Sequence, residues 1–186
     1  MKKSSVFKPA AMSTLLGMSA LMVMGTAYAH EDAPKSMTED SVTLLQAIEL
    51  AKTNTGGIPM EAERDVEMGQ AFYEIELAGK NGESYYTVIN SSTGEVILNS
   101  NHRRKHGDDH HDSDDQLENA LWLSGLNSGQ YQSLEDVVKQ AEAELSGKAY
   151  SVEIDEHRGN YVYEVKLVTA NGRTVETEIN AMTVAK

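Results

Sequence analysis

The sequence predicts an α+β fold built from two tandem αβββ units, each one helix packed on a small antiparallel sheet. Three observations carry this. The stretch from Phe72 to Asn90, FYEIELAGKNGESYYTVIN, returns 90 positions later as Val162 to Asn180, VYEVKLVTANGRTVETEIN, with no gap. Within each copy the apolar spacing changes from a helical period to strict alternation. An Asn-Gly pair, which tolerates the positive φ of a tight hairpin turn, falls at the same place in both copies, Asn81-Gly82 and Asn171-Gly172.

Taken in order, the chain opens with Lys2, Lys3 and Lys8 ahead of an apolar run from Ala10 to Met24, followed by Ala27-Tyr28-Ala29. Basic residues, a short apolar core and a small-x-small end predict a signal peptide over 1–29, cleaved after Ala29. The run is about 15 residues, short of the roughly 20 that a membrane-spanning helix needs. The expected localisation is periplasmic or secreted. Residues 30–40 are polar, contain Pro34 and show no periodicity, which predicts a flexible N-terminal arm.

The first unit is expected over 41–99. Thr43 and Gln46 have the spacing of a capping box, and Leu44, Ala47, Ile48 and Ala51 recur along one helical face. Gly56-Gly57 and Pro59 end that helix. Strands are predicted over 61–68, 71–78 and 83–90, with a short one over 95–98. Tyr73, Ile75, Leu77, Tyr85, Thr87 and Ile89 then face the helix. On the same count Phe72, Tyr86 and Val88 face the other way and form an apolar patch.

Residues 100–115 hold no apolar side chain and read as an exposed His/Asp-rich linker. Leu117, Ala120, Leu121 and Trp122 predict a short helical insertion over 116–130, without a counterpart in the first copy. The second unit, 131–186, repeats the pattern: Ser133 starts a helix whose Leu134, Val137, Val138 and Ala141 match the core face of the first. One unit alone buries few apolar residues for the number it orders, so the two are expected to pack together or to borrow the linker.

The 186 residues carry a formal charge of -13, and loss of Lys2, Lys3 and Lys8 with the signal leaves the remainder three units more negative. Such a surface disfavours nucleic acid and anionic lipid, and favours basic proteins, peptides or cations. There is no cysteine, so disulfides and cysteine-linked lipid are excluded.

A helix of the form L-x-x-A-I-x-x-A, a Y-E-I-E-L strand, a Gly-containing turn, a further strand and the closing I-N-S-S-T-G-E-V-I of Ile89–Ile97 together resemble the PepSY domain. The resemblance covers about 43–98 and 133–186. It implies a helix on an antiparallel sheet, a role in binding or restraining peptidases, and no catalytic residues. The second copy departs from the pattern after Asn180, where Ala181-Met182-Thr183-Val184 lacks the Gly-Glu of the turn, which leaves its last strand open.

Two kinds of side chain invite chemistry. His102, His106, His110 and His111 stand near Asp108, Asp109 and Asp112, donors that zinc, nickel or copper accept, though Gly107 and the surrounding acids make a rigid ligand set a poor expectation. Glu74 and Glu164 occupy matching outward positions, as do Glu63 with Glu153 and Asp65 with Asp155; on antiparallel strands such carboxylates most simply form a solvated face. No Ser/His/Asp set, zinc-protease helix or phosphate loop is present. The sequence therefore predicts a non-enzymatic exported module that binds a peptide or an exported protease, with Phe72, Tyr86 and Val88 as its contact residues. The alternative is a metal-binding or metal-sensing exported protein acting through the linker.

Overall fold

The computed structural model describes residues 37–101, 112–157 and 160–183. The predicted signal peptide, most of the predicted arm and the linker residues His102, His106, Asp108, Asp109, His110 and His111 lie outside the described residues.

Helix α1 spans Leu44–Thr55, with Thr43 Oγ1 accepting from the Gln46 N–H and Gln46 Oε1 accepting from the Thr43 N–H, as the capping-box spacing requires. It ends at the left-handed Gly56. Strands β1 (Ile58–Glu67), β2 (Gln70–Ala78), β3 (Ser84–Asn90) and β4 (Val96–Ser100) follow as successive antiparallel hairpins. Helix α2 runs Asp112–Asn127, four residues longer at its start than the expected insertion, so that residues 112–115 open a helix instead of closing the linker. The second unit then gives α3 (Leu134–Leu145), β5 (Gly147–His157), β6 (Asn160–Thr169) and β7 (Thr174–Asn180). Among the described residues it has no counterpart of β4. After β7 the chain instead folds back so that Met182 bridges Tyr131, which matches the missing Gly-Glu turn.

The two units do pack together, but edge to edge. Ala62 pairs with Val152 and Glu63 with Ser151, which joins β1 to β5 and makes one seven-stranded sheet of order β4-β3-β2-β1-β5-β6-β7. The three helices among the described residues all touch one face of it. There Leu44, Ile48, Tyr73, Ile75, Leu77 and Ile89 of the first unit meet Leu134, Val137, Val152, Tyr163, Val165 and Leu167 of the second in one apolar cluster. Lys52 of α1 also bonds Glu135 of α3, tying the units together above that core.

Helix α2 is seated at two points. The hairpin tip between β2 and β3 receives its start, where Gly82 (φ 85°) leaves no room for a Cβ against the backbone of Gln116 and Ala120. Asn119 donates there to the Gly82 carbonyl and to Ser84 Oγ. Further on, Trp122 stacks on Tyr131 at 4.3 Å between ring centres and meets Tyr161 and Tyr163 edge-on. The inserted helix thus fastens the first unit to the second.

Candidate functional site: the helix-free face of the sheet

Alternation along the strands fixes what the other face carries, because Ala62, Tyr73, Ile75 and Val165 point toward the helices and their neighbours must point away. On β1 and β2 those neighbours are Glu61, Glu63 and Asp65, opposite Glu76, Glu74 and Phe72 respectively. On β3 they are Tyr86 and Val88, opposite Glu76 and Glu74, and Leu98 of β4 lies opposite Val88. The predicted trio of Phe72, Tyr86 and Val88 is therefore gathered on the helix-free face. Phe72 and Tyr86 are half-buried and Val88 is buried beside Leu98. The trio is not the contact between the units, which runs through β1 and β5.

In the second unit the same face carries Glu153 and Asp155 on β5, Glu164 and Lys166 on β6, and Glu176 and Glu178 on β7. Lys166 stands among them, with its Nζ 3.1 Å from Glu164 and 3.2 Å from Glu153. Burial alone would lower its pKa, but the hydrogen bonds that it donates to Glu164 and Glu153 outweigh this and hold the ammonium above the ordinary lysine value. The hydroxyl of Tyr150 is pushed up by burial, with Lys166 opposing. Burial also raises Glu63 and Glu164, again with Lys166 acting the other way. Among the described residues of this face only Lys166 and, near its margin, Lys148 are basic, so the surface combines an apolar patch at the β3–β4 side with a broad acidic field.

Two features here were not expected from the sequence. Lys166 could have been found by aligning the two copies, since it replaces Glu76 at a spacing of 90. The bulges could not. Met60 and Tyr150 are the extra residues of matching bulges, between Pro59 and Glu61 and between Ala149 and Ser151, and a bulge has no side-chain signature. The arm supplies a third difference: Asp40 is not solvated but forms a forked pair with Arg64, 2.6 Å to Nε and 3.0 Å to Nη2, both side chains 5% exposed, while Ser91 Oγ donates to the same carboxylate at 2.8 Å.

On the helix side an open cleft of about 550 Å³ lies between the end of α1, the end of α2 and the start of α3, with Pro59, Leu126 and Tyr131 in its wall. Its Lys52 and Glu135 already bond each other, and Asp136 also lines it. Among the described residues, no three histidine, aspartate or glutamate side chains converge to hold a metal ion. No helix among them is long and apolar enough to cross a membrane.

The family model for the PepSY domain, described as "Peptidase propeptide and YPEB domain", matches residues 41–98 and again 131–183. The chain belongs to the PepSY family. Its two PepSY domains coincide with the two halves of the sheet, and α2 sits between the matched regions. This PepSY chain is similar to the uncharacterized protein YkoJ of Bacillus subtilis (strain 168), 26% identical over 152 residues, which cover 82% of this chain and 76% of YkoJ. A crystal structure of a candidate lipoprotein from Clostridium difficile 630 aligns over 84% of this chain and 97% of its own, at 14% identity and a TM-score of 0.43.

Proposed function

We propose that this PepSY protein is an exported, non-enzymatic binding module that holds an extended peptide segment of another protein, such as an exported protease, against the helix-free face of its sheet. The observation that carries the reading is that face itself: a broad antiparallel surface, free of helices among the described residues, on which Phe72, Tyr86 and Val88 lie beside rows of carboxylates. The three helices put the shared core on the opposite side, so the open face contributes little to it and is left to bind. The family description, a peptidase propeptide domain, supports the choice of partner class. Export is supported by the signal-like residues 1–29.

The test uses random decapeptides displayed on phage, panned against the chain purified after export and against its Phe72→Glu variant. Sequences recovered on the parent and lost on the variant support the reading. Equal recovery on both, or none on either, removes it.

A further inference from the structure

The seven-stranded sheet ends in β4 on one side and β7 on the other, and among the described residues each has a single strand neighbour. An edge strand offers a row of backbone donors and acceptors to any extended chain, and proteins commonly block this with charged side chains. The 90-residue spacing shows that this chain does so at one edge. Tyr86 and Val88 of β3, which β4 covers, become the exposed Glu176 and Glu178 of β7, where no fourth strand follows among the described residues. The corner changes with them: Val42 and Leu50, packed on the core as is Val96 of β4, become Gln132 and Gln140. The β7 edge is thus built to face water.

The β4 edge is built differently. Its residues, Val96, Ile97, Leu98, Asn99 and Ser100, carry no charge. Ile97 is 57% exposed and is the extra residue of a bulge between Val96, opposite Ile89, and Leu98, opposite Val88. From Leu98 to Ser100 the pairing with β3 is regular, and Leu98 continues the row of Val88 on the helix-free face. A short, bulged strand is a partial defence against chance pairing, but an exposed isoleucine in a strand without charge is the reverse of one.

We infer that β4 takes an extended segment of another protein as an eighth strand, with an apolar side chain beside Leu98 and a hydroxyl or amide side chain beside Asn99. Edge pairing is a contact beyond the face reading proposed above, and either can hold without the other. The side-chain pattern follows from the register: a strand added to β4 extends the row of Val88 and Leu98 on the helix-free face and the row of Thr87 and Asn99 on the other. The apolar row also runs on into the patch that holds Tyr86 and Val88. A second copy of the chain is a poorer occupant. The five residues of β4 give a contact about 17 Å long and one strand wide, well short of the roughly 800 Å² per partner that a stable dimer buries. Two copies of formal charge -13 also repel each other. An extended segment needs only the backbone ladder and room for alternate side chains, which this edge offers.

The experiment adds a blocked nonapeptide, valine alternating with threonine between terminal lysines, to the exported chain at up to millimolar concentration, and reads affinity together with amide exchange strand by strand. Amides within Val96–Ser100 are expected to slow on binding and those within Thr174–Asn180 to stay unchanged. The same peptide N-methylated at every residue keeps its side chains and loses its donors, and is expected to bind about tenfold or more weakly. Ile97→Lys, at an exposed position, is expected to weaken the unmethylated peptide by about tenfold or more at an unchanged melting temperature. Asn99→Lys provides a second charged edge with a loss in the same direction. Equal binding of the methylated peptide overturns the inference, and so do β4 amides that do not respond or that are all slow before the peptide is added. Binding lost on Phe72→Glu but kept on Ile97→Lys assigns the peptide to the face, which overturns the edge contact and leaves the proposed function standing; no binding of the peptide, with no sequence recovered from the phage panning, overturns both. Self-association abolished by Ile97→Lys would give the edge to a second copy and overturn the inference.

Discussion

The hydroxyl of Tyr73 donates a hydrogen bond to the carbonyl of Val42 at 3.0 Å. Ninety residues on, Tyr163 makes the same bond to the carbonyl of Gln132 at 2.9 Å. Each ring lies wholly buried, and each hydroxyl holds the chain just before a helix N-cap against the second strand of its unit. Burial holds both phenols well above the ordinary tyrosine range, so neither ionises while the fold persists. Tyr73→Phe and Tyr163→Phe are each expected to cost about 0.5–1.5 kcal/mol in urea unfolding, because a half-buried carbonyl loses its donor while the ring remains. Costs that differ widely between the two would show that the pair is not equivalent.

Around that shared bond the units diverge. Where the first unit places Arg64 against Asp40 and Ser91, the second has Ile154, Gln130 and Ala181 at the matching positions, and stacks Trp122 on Tyr131 nearby. Removing one partner of a buried ion pair leaves the other charge without compensation, so Asp40→Ala is expected to lose about 3–5 kcal/mol. Arg64→Met with Asp40→Leu, which removes both charges and keeps the volume, is expected to recover most of this. A double variant as unstable as the single one would mean that the pair acts through something other than charge matching.

These comparisons show which parts of the fold could be read from the chain. Helix faces, hairpin turns and the outward placement of Phe72, Tyr86 and Val88 followed from side-chain period, because burial selects apolar residues at that period. The joining of β1 to β5 did not, since it is made by backbone groups that every residue possesses and leaves no mark on the side chains. Asp40 was placed in a flexible arm because its neighbours are polar; its partner Arg64 is 24 residues away and on an inward position that alternation reserves for apolar groups. On the candidate site, the acids were legible one by one, whereas their convergence with Lys166 and Tyr150 needed the register.

The tip between β1 and β2 is made by Met68 at φ 52° and Gly69 at φ 79°, both left-handed. Met68 is 98% exposed, so nothing packs on it to offset the cost of that conformation. Asparagine is the residue best suited to the first position of such a turn. Met68→Asn is therefore expected to stabilise by about 0.5–1 kcal/mol, seen as a higher urea midpoint with an unchanged slope. A lower midpoint would indicate that the methionine makes a contact that its exposure conceals.

The acidic face gives the chain an unusual response to pH. Glu63 is held above the ordinary glutamate value of 4.5, first by burial and further by Glu153, Asp65 and Glu74, with only Lys166 opposing. A group that binds its proton more tightly when folded adds stability that is complete below its unfolded value and is lost as the pH rises through its folded value. Lys166 is raised as well, but its contribution persists through neutral pH and is lost only above the ordinary lysine value of 10.5, so it does not enter this window. Glu63→Gln removes the ionised carboxylate facing Glu74. At pH 7 the variant is expected to be more stable than the parent by about 0.2–1 kcal/mol, a modest gain because solvent screens an exposed position. The gap should close as the pH falls toward 4.5 and the parent's own carboxyl takes up its proton. Thermal melts of the two proteins across pH 4–8 measure this directly, and a variant less stable than the parent at pH 7 would show that the Glu63 carboxylate is held by attraction to Lys166 more than it is opposed by its acidic neighbours.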